Sequence, residues 1–83
     1  MDRKEIEQAV ADVLRTHCNV TKEIRAESRL AEDLGLDSVG LLTMAVEVEN
    51  HFQTVLGEEP ERPPRTVHAV VDLIEQRLTE RKL

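Results

Sequence analysis

Apolar positions along the chain fall into three blocks with helical spacing. In the first, Ile6, Val10, Val13, Leu14 and His17 repeat every three or four residues, which predicts a helix from Arg3 to His17 with one buried stripe. Asp2 suits its N-cap, Glu5 its first turn and Asn19 its stop. The second block predicts a helix from Ser38 to about Leu56, and it carries two apolar sets. Leu41, Ala45, Val48 and Phe52, with Met44 alongside, make one; Val39, Leu42 and Val46 make the other. A small bundle needs only one. The surplus set is either an exposed ridge for a partner or the second side of a helix buried on both faces. The third block, Val67, Val70, Val71, Ile74 and Leu78, predicts a helix from Val67 to Arg81 capped by Thr66. Arg77, Arg81 and Lys82 stand at its C-terminal end, where the helix dipole favours cations.

The connections differ in kind. Residues 20–37 have weak periodicity, with Ile24, Leu30, Leu34 and Leu36 as scattered anchors. They read as a long loop with room for one helical turn, and loops of that length in a small domain tend to be functional. Gly35 suits a turn or a left-handed backbone. The segment Gly57–Arg65 holds Pro60, Pro63 and Pro64, which limits it to one short helical turn. The expected fold is all-α: three main helices plus a short third element, in a single domain spanning residues 1–83.

Composition narrows the function classes. Phe52 is the only aromatic residue, so no Trp or Tyr platform exists for stacking bases or sugars. Cys18 is the only cysteine, which forbids an internal disulfide and fits a reducing, cytoplasmic setting. The opening MDRKEIEQAV lacks the apolar core of a signal peptide, and no apolar run approaches the roughly 20 residues that span a bilayer. The net charge of -6 is unevenly spread. Residues 1–31 balance; residues 32–61 hold eight acids and no Lys or Arg; the remainder is slightly basic. A negative field around Ser38 argues against nucleic acid and for a basic protein partner, although acids also simply keep a small domain soluble.

Candidate chemistry is sparse. A serine nucleophile needs a base within reach, usually on a sharp turn such as G-x-S-x-G, and that motif is absent. His17, His51 and His68 lie on three different expected helices. No C-x-x-C, H-E-x-x-H or calcium-loop spacing points to a metal, and Cys18 reads as a small buried side chain. Ser38 remains. It opens the helix with the surplus ridge, ends the long loop and lies in the acidic third. A helix N-terminus is also a favourable mount for a phosphate.

The run ESRLAEDLGLDSV, followed by AVEVENHF and later TVHAVVDLI, resembles acyl carrier proteins over essentially the whole chain. Glu32 to Ser38 is the most specific part, and Phe52 falls where the family has a core aromatic. The resemblance implies a small four-helix bundle that catalyses nothing itself. It implies that a phosphopantetheinyl transferase, using coenzyme A and magnesium, attaches a 4'-phosphopantetheine arm to Ser38, with Asp37 supporting the transfer. The arm would hold acyl groups as thioesters for acyl-loading and acyl-processing enzymes. Those partners would read Val39, Leu42, Val46, Glu47 and Glu49, and the carrier would be a monomer.

The chain departs from the familiar fatty-acid pattern: Gly40, Thr43 and Asn50 stand where acids are usual, and the proline-rich segment replaces a more acidic third element. Gly40 either allows close approach of the arm or a partner, or is merely tolerated on the surface. The departures suggest a carrier dedicated to polyketide or other secondary-metabolite synthesis. An aminoacyl or peptidyl carrier, and a helical interaction module without a prosthetic group, stay open as alternatives.

Overall fold

The computed structural model describes residues 2–54 and 64–81. Three helices form: α1 (Arg3–His17), α2 (Ser38–Phe52) and α3 (Val67–Arg81). Among the described residues there is no strand, only an isolated antiparallel bridge between Arg29 and Thr66. The expected short element between α2 and α3 lies, apart from Pro64 and Arg65, outside the described residues.

Local chemistry explains the helix ends. At α1 the Asp2 carboxylate accepts from the Glu5 N–H at 2.9 Å, and the Glu5 side chain accepts from the Asp2 N–H at 3.5 Å, a reciprocal capping box. Asn19 takes φ 57, a left-handed conformation that Asn tolerates, and turns the chain away from the helix. α2 ends four residues before the expected Leu56. Gln53 adopts φ 51, and the Thr54 N–H reaches back to the Glu49 carbonyl at 3.2 Å, closing the helix end. Apolar spacing continues through Val55 and Leu56 and hides this stop, because Gln carries no breaker signal.

The core is aliphatic. Ile6, Val10 and Leu14 of α1, Val48 of α2, and Val70, Val71 and Ile74 of α3 are essentially sealed from solvent. Full burial of each such side chain favours folding by about 1.5–3 kcal/mol. α1 packs closely against both other helices, and buried residues of all three share one core. Leu30, Leu34 and Leu36 from the long loop join the same core, and Ile24 packs on its edge.

That loop is a fixed structural element. Residues 30–34 make one helical turn, in which the Asp33 carboxylate accepts from the Arg29 backbone N–H at 2.7 Å. Gly35 follows with φ 76, which lets Leu34 and Leu36 both reach the core. The Leu30 N–H donates to the Arg65 carbonyl at 2.8 Å. In return, the carbonyls of Ser28 and Ala26 take the Val67 and His68 N–H groups at 3.0 and 2.8 Å. The Thr66 hydroxyl takes the Ala69 N–H at 3.1 Å. The three N–H groups that open α3 are thereby satisfied by its cap and the loop. A second clasp joins α1 to α3, where Arg3 meets Asp72 at 2.8 Å and Glu75 at 3.3 Å.

Candidate functional site

The site is built where the loop runs into α2. Asp37 has extended backbone (φ -94, ψ -171) and is the N-cap; its carboxylate accepts from the Gly40 N–H at 2.8 Å. Its carbonyl accepts the Leu41 N–H at 2.9 Å, starting the helical ladder. Ser38 is therefore the first helical residue and not the cap. It is exposed, and its hydroxyl has no hydrogen-bond partner among the described residues. The N–H groups of Ser38 and Val39 likewise have no acceptor among them. An open hydroxyl beside two free amide donors, at the positive end of a helix dipole, can take a phosphodiester without breaking an existing bond. The residues present thus fit a phosphate-linked group on Ser38.

Gly40 is closely approached by its own chain. A Cβ there would stand 3.2 Å from Leu36 Cδ2 and 3.4 Å from both Leu36 Cβ and the Asp37 carboxylate. It is the chain's own buried Leu36 that approaches the glycine. The Gly40 carbonyl also faces the Cys18 thiol at 3.7 Å, which ties the end of α1 to the start of α2. Cys18 is only half-buried; burial and then the nearby Glu47 charge push its thiol above its ordinary value. This contact joins residues 22 apart, and no local pattern announces it.

The two apolar sets of α2 separate cleanly. Met44, Val48 and Phe52 are buried, with Leu41 packed against the core. Val39, Leu42 and Val46 are 71%, 66% and 43% exposed. Of the two openings left by the sequence, the structure selects the exposed ridge. Among the described residues, a cleft of about 260 Å³ lies beside the other flank, lined by Leu30, Ala31, Glu32, Leu41, Pro64 and Arg65.

The acidic stretch is far less bare than its composition suggests. Arg29, just outside it, binds Asp33 through both side chain and backbone, and these hydrogen bonds hold the Asp33 carboxyl below the usual range. Glu32 lies 3.8 Å from the same guanidinium. Glu47 turns toward α1 and meets His17 Nε2 at 3.5 Å, so it does not lie on the ridge. Glu49 is engaged as well, while Glu58, Glu59 and Glu61 lie outside the described residues. The histidines do not converge: His17 pairs with Glu47, His51 packs edge-on against Phe52, and His68 contacts Arg3 and Asp72. No cluster of three or more metal-binding side chains occurs among the described residues, and no helix there is long and apolar enough to cross a membrane.

Comparison with known proteins places this geometry. The family model described as a phosphopantetheine attachment site matches residues 4–60. An acyl carrier protein of Coprothermobacter proteolyticus is 38% identical over 79 residues, covering 94% of this chain and 96% of that protein. One from Amoebophilus asiaticus is 35% identical over 78 residues, covering 93% and 98%. One from Chlorobium phaeobacteroides is 31% identical over 75 residues, covering 89% and 96%.

Proposed function

Because this chain belongs to the acyl carrier protein family, with its covalent 4'-phosphopantetheine, we propose that Ser38 is the residue to which the arm is attached. The observation that supports this most directly is the exposed Ser38 hydroxyl at the first position of α2, unclaimed by any described residue. In the loading step the Ser38 oxygen forms a phosphoester bond to the phosphopantetheine phosphorus of coenzyme A. The pyrophosphate link of coenzyme A breaks, adenosine 3',5'-bisphosphate leaves with the electron pair of that P–O bond, and the serine proton passes to a base of the transferase. Asp37 holds the start of α2 in place through the Gly40 N–H, and as the exposed residue next to Ser38 it would support the transfer near the transferase's magnesium.

Once attached, the arm supplies a terminal thiol that holds acyl groups as thioesters. The protein then positions and does not catalyse. It presents cargo at high effective concentration to enzymes that dock against α2. The aliphatic walls of the cleft at Leu30 and Leu41 suit a short acyl chain. The relatives' name favours acyl over aminoacyl cargo. Thr43 and Asn50 leave the outer face of α2 less acidic than the familiar pattern, which supports a carrier dedicated to polyketide or other secondary-metabolite synthesis over housekeeping fatty acid synthesis. We further take residues 1–83 as one carrier domain that works as a cytoplasmic monomer.

Intact mass spectrometry tests the central assignment. The chain and Ser38→Ala are each incubated with coenzyme A, magnesium and an active broad-specificity transferase. Gain of one phosphopantetheine by the wild type alone is the expected result. A folded chain that gains nothing, or a Ser38→Ala variant that still gains it, overturns the assignment and leaves a helical interaction module as the better account. Support of fatty acid elongation at the level of a housekeeping carrier would remove the pathway assignment.

A further inference from the structure

The cleft beside α2 has aliphatic walls and two unlike charges in its lining. Leu30, Ala31, Leu41 and Pro64 wall its volume of about 260 Å³, and Glu32 and Arg65 complete it. The charges come from segments far apart in the chain, and backbone contacts hold those segments together. The Leu30 N–H donates to the Arg65 carbonyl at 2.8 Å, and Arg29 forms its bridge with Thr66. Leu41 stands about one turn after Ser38 on the same helix, so an arm on Ser38 starts beside this cleft.

Both charged groups keep hydrogen-bonding capacity. Glu32 lies 3.8 Å from Arg29, beyond hydrogen-bond reach, and its carboxylate accepts no hydrogen bond among the described residues. Arg29 directs its own donors to Asp33 at 3.2 and 3.3 Å. Arg65 is exposed, and its guanidinium has no partner among the described residues. From this arrangement we propose that the cleft selects a short acyl group that carries a hydroxyl. The hydroxyl accepts from Arg65 and donates to Glu32, while the carbon chain lies against Leu30, Leu41 and Pro64. The proposal rests on the carrier function given above and names its cargo class. A guanidinium only donates and a carboxylate only accepts, whereas a hydroxyl is neutral and does both. A plain alkyl chain gains the aliphatic walls alone. A terminal carboxylate is drawn to Arg65 but repelled by Glu32. Hydrogen bonds to charged groups are the stronger kind, and these two form without breaking one already made among the described residues.

The probes are butyryl, 3-hydroxybutyryl and succinyl groups, each loaded on the apo chain from its coenzyme A thioester by a broad-specificity phosphopantetheinyl transferase. Cleavage of the thioester by hydroxylamine is followed by intact mass spectrometry in the wild type, Arg65→Ala and Glu32→Ala. Each rate is divided by that of the same group on free pantetheine, which removes its intrinsic reactivity. A group seated in the cleft is shielded, so the normalised rate for 3-hydroxybutyryl should be about threefold below that for butyryl, as expected for charge-assisted hydrogen bonds at an open rim. Each alanine variant should lose most of this difference. In the wild type, the amide shifts of Leu30, Ala31 and Leu41 should move further from those of the unacylated holo chain with 3-hydroxybutyryl than with butyryl. Glu32 and Arg65 are both exposed, so the variants should keep the wild-type melting temperature within a few degrees. Equal normalised rates for the two groups, slowest cleavage with succinyl, or an alanine variant that discriminates as the wild type does overturns the inference while leaving the carrier function intact, since Ser38 is still loaded. Failure of the wild type to be loaded by an active transferase overturns both.

Discussion

Asp37 is expected to do two separable things, and the structure gives a size to one of them. Its carboxylate accepts the Gly40 N–H at 2.8 Å, filling an amide at the start of α2 that has no other partner. Replacing such a cap by Ala costs about 1 kcal/mol, within a range of roughly 0.5–2. For 83 residues, an unfolding entropy of roughly 2.1 cal/mol/K per residue gives about 0.17 kcal/mol/K, so about 1 kcal/mol lowers the melting temperature by about 6 °C. Asp37→Asn keeps the accepting oxygen and loses only the charge at the helix dipole. Its loss should be less than half that of Asp37→Ala. Phosphopantetheine transfer should rank differently: if the carboxylate works near the transferase's magnesium, both variants slow loading, Asn included. The assays are thermal melts followed by circular dichroism and initial loading rates at saturating carrier. Equal melting temperatures for Asp37→Ala and wild type would refute the capping role. An Asn variant that is stable and also loads at the wild-type rate would refute the role of the charge.

The remaining predictions address the loop and its ionisable groups. Leu30→Ala, at a loop residue 1% exposed, should cost about 2–5 kcal/mol in urea titrations, a core-sized loss that an ordinary surface loop would not show. Gly35→Ala should cost about 1–2 kcal/mol although nothing lies within 4 Å of the added carbon, because φ 76 is itself strained for an L residue; Gly35→Asn should cost less. The Cys18 thiol, pushed up by burial and by Glu47, should react with iodoacetamide at pH 8 more slowly than a free cysteine, and unfolding in urea should remove the difference. Asp33 is held below its ordinary value of 3.8 by its bonds to Arg29, so its contribution is fully present above that pH and is lost as pH falls through the lower folded value. The melting-temperature gap between wild type and Asp33→Asn should therefore be constant from pH 7 to about 5 and narrow below about 4.

Most of the helical framework was legible in the sequence. Asp2 with Glu5, and Thr66 before its apolar run, marked two starts because a cap is a contact between residues three apart, and spacing alone reveals it. The stripes of α1 and α3 were legible for the same reason: one buried face repeats with the period of the helix. Ser38, following Asp37 at the end of a Gly-bearing loop, stood out before any coordinates did. The end of α2 did not, since Val55 and Leu56 extend its periodicity past the left-handed turn at Gln53.

What the sequence left open was every question that needs a second segment for its answer. Periodicity exposed two apolar sets on α2 but could not choose between them; packing into the common core buried Met44, Val48 and Phe52 and left Val39, Leu42 and Val46 outside. Composition counted eight acids between residues 32 and 61, but only folding brought His17 to Glu47. The loop read as a connection because its leucines lack a period, and it became part of the core once its carbonyls had the N–H groups of α3 to bind. Local hydrogen bonds and helical period are properties of neighbours in the chain and are written there. Burial and ion pairing depend on distances between segments far apart in the chain, and the tertiary structure alone decided those.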